Sequence, residues 1–157
     1  MKILIAFYSR TGTCRKLAEA MRSQLSCDME EIVDLKDRKG AIGFFVSCKD
    51  AALKHATEIK PPQKQPSDYD LVILGTPVWT GTISCAMRAY LTQFKDMFKS
   101  VAFFCTTRDS GIQSAFDNMQ VLCGKAPIGT LGLKQKEVVK NLFSEKLSAF
   151  IKDIESK

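Results

Sequence analysis

The chain has 157 residues, 45% hydrophobic and 25% charged, long enough to bury a compact core and short for two domains. Its longest apolar runs are of strand length, so no membrane span is expected; Lys2 leads straight into an apolar run, so no signal peptide is read and a cytoplasmic setting is expected. The net charge of +6 comes without a nucleic-acid motif or interleaved aromatic residues, so nucleic acid is not expected as a partner.

Residues 3–8 form an apolar strand, and Cys14, Leu17, Ala18, Met21 and Leu25 follow at helical spacing. Residues 29–33 read as a weaker, more polar strand suited to a sheet edge. Residues 40–46 precede a helix-like stretch at 49–55 and an extended connector at Pro61-Pro62, so a simple crossover helix is not expected there. Residues 71–74 form a buried strand ending at Gly75, and Met87, Tyr90, Leu91 and Phe94 mark a helix. A buried strand at 101–105 precedes a helix on Ile112, Ala115, Phe116, Met119 and Leu122 that stops at Gly124. The last strand is read at 127–133, and one long helix carries the apolar positions from Val138 to Ile154. Strands that are apolar throughout and separated by helices indicate a parallel sheet covered on both faces, as one α/β domain over residues 1–157.

The six cysteines, Cys14, Cys27, Cys48, Cys85, Cys105 and Cys123, form no C-x-x-C pair, and His55 is the single histidine, so no metal site is expected. Most should be buried free thiols. Cys14 falls where a helix begins, a position that lowers a thiol pKa, and is the one candidate for a reactive thiol, although no histidine neighbours it in sequence to act as a base.

The first strand breaks into Ser9-Arg10-Thr11-Gly12-Thr13-Cys14 and then a helix. Free N–H groups at a helix start, the helix dipole and nearby hydroxyls together favour an anion, so this loop is expected to hold a phosphate. No G-x-x-x-x-G-K-[ST] and no G-x-G-x-x-G occurs, acidic residues do not follow the first strand, and no cysteine has an arginine six residues on. The remaining pattern, [ST]-x-T-G-x-[ST], resembles the FMN-phosphate loop of the flavodoxin family.

Two further loops extend that resemblance. Thr76-Pro77-Val78-Trp79-Thr80-Gly81 holds the single tryptophan and looks like the family's second flavin loop. The resemblance implies that Trp79 covers one face of the isoalloxazine and that the Thr80–Gly81 backbone lies near its reducible nitrogen. Thr106-Thr107-Arg108-Asp109-Ser110-Gly111 forms the third loop, which by resemblance flanks the pyrimidine side of the ring, with Thr106, Thr107, Arg108, Asp109 and Gly111 as its site candidates. The implied fold is a flavodoxin-like three-layer sandwich with a five-stranded parallel sheet of order 2-1-3-4-5, its ligand at the carboxyl ends of the strands. The implied cofactor is FMN.

Three features depart from the family pattern. Cys14 stands where a hydroxyl is usual, the third loop lacks an aromatic residue, and the chain is basic rather than acidic. Seven basic residues, Lys36, Arg38, Lys39, Lys49, Lys54, Lys60 and Lys64, face three acidic ones, Asp37, Asp50 and Glu58, in one segment. That segment reads either as a solvated face or as a dock for an acidic redox partner, and its Phe44 or Phe45 is a candidate to cover the flavin. The expected function is flavodoxin-like electron transfer, since neither a nicotinamide motif nor a catalytic constellation is present. The alternatives are an FMN-dependent oxidoreductase using NAD(P)H and a quinone, and a fold that has lost its flavin.

Overall fold

The computed structural model describes residues 1–157. Its strands are β1 (Ile3–Phe7), β2 (Asp28–Glu31), β3 (Leu71–Trp79), β4 (Thr82–Ile83), β5 (Ser100–Thr107) and β6 (Thr130–Lys134). Five of them pair in parallel in the order β2-β1-β3-β5-β6, and β4 turns back antiparallel on the end of β3. Counted along the parallel strands alone, this is the expected 2-1-3-4-5 arrangement, with a short hairpin added.

The helices are α1 (Thr13–Leu25), α2 (Gly40–Ala52), α3 (Cys85–Phe94), α4 (Ile112–Cys123), α5 (Gln135–Val139) and α6 (Ser144–Glu155). They make two cores, because successive side chains of a strand point to opposite faces. Leu4, Val72, Leu74 and Phe103 pack with Leu91 of α3 and Met119 of α4. Ile5, Leu71, Ile73 and Phe104 pack with Leu17 of α1 and Phe150 of α6. A sheet buried on both sides explains the continuous apolar runs of β1, β3 and β5. No helix is long and apolar enough to cross a membrane.

Several assignments differ from the sequence reading. β3 continues past Gly75 to Trp79, because Val78 and Trp79 find partners in Ile83 and Thr82. A helix does fill residues 40–52, its glycines notwithstanding. Gly43 is needed there, since a Cβ on it would lie 2.2 Å from the backbone carbon of Arg38. The expected long C-terminal helix is two, interrupted where Asn141 takes a φ of 57°. Val139 and Leu142, which completed the apparent periodicity, are exposed. β6 starts at Thr130 rather than at Pro127, and β2 spans Asp28–Glu31 rather than 29–33.

Candidate functional site

The carboxyl ends of β1, β3 and β5 open into a cavity of about 610 Å³. Arg10, Thr11 and Thr13 line it from the first loop, and Pro77, Val78, Trp79, Thr80 and Gly81 from the second. Thr107, Arg108, Asp109 and Ser110 line it from the third, and Phe44 and Cys48 of α2 close one side. Gln135 and Val139 of α5 reach it as well.

The first loop is shaped around Gly12, whose φ of 90° lies in the left-handed region directly before α1. Ser9 Oγ accepts the N–H of Gly12 at 3.1 Å and that of Arg15 at 3.3 Å, while the Thr11 and Thr13 hydroxyls lie 3.3 Å apart. Thr13 and Cys14 begin α1, so their N–H groups have no intrahelical acceptor and stand beside the dipole's positive end.

The Cys14 side chain turns away from the cavity, which removes it as a candidate reactive thiol. It is buried, with Sγ 3.1 Å from Thr106 Oγ1, and burial pushes its pKa up to about 12. Desolvation outweighs the helix terminus here.

The second loop is a two-residue hairpin turn, with Thr80 at φ 50° and Gly81 at φ 73°. Positive φ is unusual for a β-branched residue. Thr80 Oγ1 donates to the Cys48 carbonyl at 3.2 Å, tying the turn to α2. Trp79 ends a strand rather than sitting in a loop, and most of it is core. The Tyr8 ring meets it edge-on at 5.5 Å and 88°, and Arg38 Cζ lies 5.7 Å from its centroid. Thr76 is buried; its Oγ1 accepts the Ser84 N–H at 3.1 Å.

In the third loop Thr107 Oγ1 donates to the Ser110 carbonyl at 2.6 Å and accepts the Asp109 N–H at 3.3 Å. A Cβ on Gly111 would approach Gly81 Cα to 2.9 Å, so this glycine lets the third loop close on the hairpin. Phe44 bridges the first and third loops: Arg10 Cζ lies 5.2 Å and Arg108 Cζ 5.7 Å from its ring centroid.

Beneath these loops Arg38 is a hub. Its Nε donates to Asp34 Oδ2 and its Nη1 to Asp50 Oδ2 at 3.0 Å, and its carbonyl accepts Arg10 Nη1 at 3.2 Å. Lys36 Nζ also donates to Asp50 Oδ2, at 2.8 Å. The Asp50 carboxyl is held below its ordinary range, chiefly by Lys36 and also by Arg38, with burial opposing them. Its folded pKa lies below the unfolded value, so its contribution to stability is present above about pH 5 and is lost as pH falls through about 4 and lower. Urea midpoints measured from pH 6 to pH 3 should therefore decline at the acid end, with a shallower decline for Asp50→Asn.

A family model described as Flavodoxin matches residues 2–152. The chain belongs to the flavodoxin family. Comparison with curated proteins gives no match. A flavoprotein from Lactobacillus acidophilus, solved in complex with FMN, superposes with a TM-score of 0.72 at 23% identity, covering 88% of this chain and 97% of that one. A Bacteroides eggerthii flavoprotein gives 0.71 at 21% identity, over 90% of this chain and 95% of that one. Oxidised flavodoxin 2 from Bacillus cereus gives 0.55 at 19% identity, over 97% and 99% of the two chains.

In this flavodoxin-family chain the site residues read from the sequence divide into two groups. Eleven of them line the cavity: Arg10, Thr11, Thr13, Pro77, Val78, Trp79, Thr80, Gly81, Thr107, Arg108 and Asp109. The others shape it from behind: Ser9 faces a neighbouring cleft, Thr76, Cys14 and Thr106 are buried, and Gly12 and Gly111 set the two helix starts. Of the two phenylalanine candidates, Phe44 lines the cavity and Phe45 is exposed. Cys48, Gln135 and Val139 were missed, and Ser110 was read only as part of the third loop. The spacing of Phe44 and Cys48, one helical turn apart, was the available signal for α2.

Proposed function

We propose that this cavity binds FMN and that the protein is a flavodoxin-like electron carrier. One observation supports this above others: a helix start with free N–H groups and two hydroxyls shares a single cavity with Trp79 and Phe44. The first end suits a phosphate, the second a flat heterocycle. A volume of about 610 Å³ lies within the usual range for cofactor sites. Thr11, Thr13 and the first-turn N–H groups of α1 would hold the phosphate. The Cys14 thiol is buried against Thr106 and does not line the cavity, so it does not weaken that cradle.

Trp79 and Phe44 would flank the ring, and the 107–110 loop would supply polar contacts. When bound, FMN carries the electrons; the protein positions it and sets its exposure. An acidic redox protein is the proposed partner. The second reading, an FMN-dependent oxidoreductase taking NAD(P)H and a quinone, draws support from Arg10 and Arg108, two cations beside an open cavity that suit an anionic substrate.

The test is an absorbance spectrum of the purified protein, followed by FMN titration. Binding is expected, and Phe44→Ala should weaken it about fivefold without unfolding the chain, the value of about 1 kcal/mol for an aromatic contact. No binding with excess FMN overturns the proposal. A stable one-electron stage on dithionite reduction supports carriage. Direct two-electron reduction, with NAD(P)H oxidised in the presence of a quinone, supports the enzyme.

A further inference from the structure

The helix that closes the cavity has a second face. Gly43, Ser47 and Ala51 of α2 are buried, and Phe44 and Cys48 look into the cavity. On its outer side Ile42 is 82% exposed, Phe45 72% and Leu53, just past the helix end, 55%. These positions, with Lys49 between them, recur three to four residues apart and so form one stripe along the helix. Lys39 stands at its head, and neither Lys39 nor Lys49 makes a salt bridge.

A stripe of large apolar side chains held in water marks an interaction surface, and the unpaired cations beside it add long-range attraction for an acidic partner. We infer that the outer face of α2 docks an acidic electron-transfer protein, through contact with Ile42 and Phe45 and attraction to Lys39 and Lys49. The occupant is acidic because these cations have no internal partner, whereas the neighbouring Lys36 and Arg38 are already neutralised by Asp34 and Asp50. A second copy of the chain fits poorly. Across a two-fold axis the same patch would meet itself, bringing its lysines together. The location also serves transfer, since one helix diameter, about 10 Å, separates this face from the cavity.

This inference deepens the carrier reading and rests on it for its purpose, but the contact can be tested separately. An acidic two-iron ferredoxin serves as the probe, titrated calorimetrically at low ionic strength into the chain with and without added FMN. Binding to both forms is expected, weakening as salt is added. Phe45→Glu and Lys49→Glu should each weaken it about tenfold, while Lys152→Glu, the same charge change as Lys49→Glu but on the exposed side of α6, should change it less than twofold.

Circular dichroism of each variant checks its fold, and Lys49→Glu carries the test if Phe45→Glu misfolds. Four outcomes overturn the inference: no binding to the wild type, equal loss in Lys152→Glu, dimerisation that Phe45→Glu abolishes, or preferential binding to phosphatidylserine vesicles. A chain that binds the probe but not FMN would sink the carrier reading and leave the surface standing.

Discussion

Asp34→Ala is expected to destabilise the protein by about 3–5 kcal/mol, the range for removing one partner of a buried ion pair. The Asp34 and Arg38 side chains are only 3% and 2% exposed, and the Arg38 Nε donates to the carboxylate. Without Asp34 the guanidinium stays buried and retains only the partly exposed Asp50, while Thr57 Oγ1 and the Lys36 N–H lose their acceptor. The damage should spread to the cavity. Arg38 lies over Trp79, its carbonyl holds Arg10, and its backbone is the surface on which Gly43 seats α2. A urea midpoint and a melting temperature measure the loss, the latter falling by roughly 10 °C for a chain of this size. Replacing both partners, as Asp34→Leu with Arg38→Met, should recover much of it, because no buried charge is then left alone. A single variant within about 0.5 kcal/mol of wild type would contradict the burial of this pair.

Gly75→Val should prevent stable folding, with a loss of at least about 3 kcal/mol, the upper end for overpacking a core. Even a Cβ at Gly75 would lie 1.9 Å from Phe104 Cζ and 2.2 Å from its Cε1. Phe104 is fully buried among Leu71, Ile73 and Ala102, so its ring has nowhere to go. β3 cannot shift either, since it is paired with β1 on one side and β5 on the other. Yield of soluble protein and urea unfolding report the outcome. Gly75→Ala combined with Phe104→Leu should fold better than Gly75→Ala alone, because the clash is with the ring and not with backbone.

What could be read in advance follows from how each element is stabilised. β1, β3 and β5 are covered on both faces, so their burial is written as uninterrupted apolar residues, and the loops at their ends could be located by counting. Trp79 was harder. Its place beside the cavity was legible, but its packing against Tyr8 and Arg38 depends on chain segments brought together only by folding. α2 was not legible as a whole helix, because Ile42 and Phe45 are apolar yet exposed and Gly43 answers to a neighbouring backbone rather than to helix propensity. Arg38 counted as one more surface charge in the sequence. Its burial is decided by Asp34 and Asp50, which composition cannot assign to it. Cys14 could not be settled in advance for the converse reason: helix position is visible in sequence, whereas the direction of a side chain into the core is not.

One helix carries Phe44 toward the cavity and Phe45 toward solvent. It is fastened to the hairpin turn by Thr80 and to the ion-pair hub by Gly43 and Asp50. Where a molecule that grips the outer side and one that fills the inner side each prefer a setting of α2, each alters the affinity of the other, and by the same factor through thermodynamic reciprocity. Loading the cavity and engaging the outer face are then linked equilibria, and the sign of their coupling is set by whether the two occupants favour the same setting of this helix.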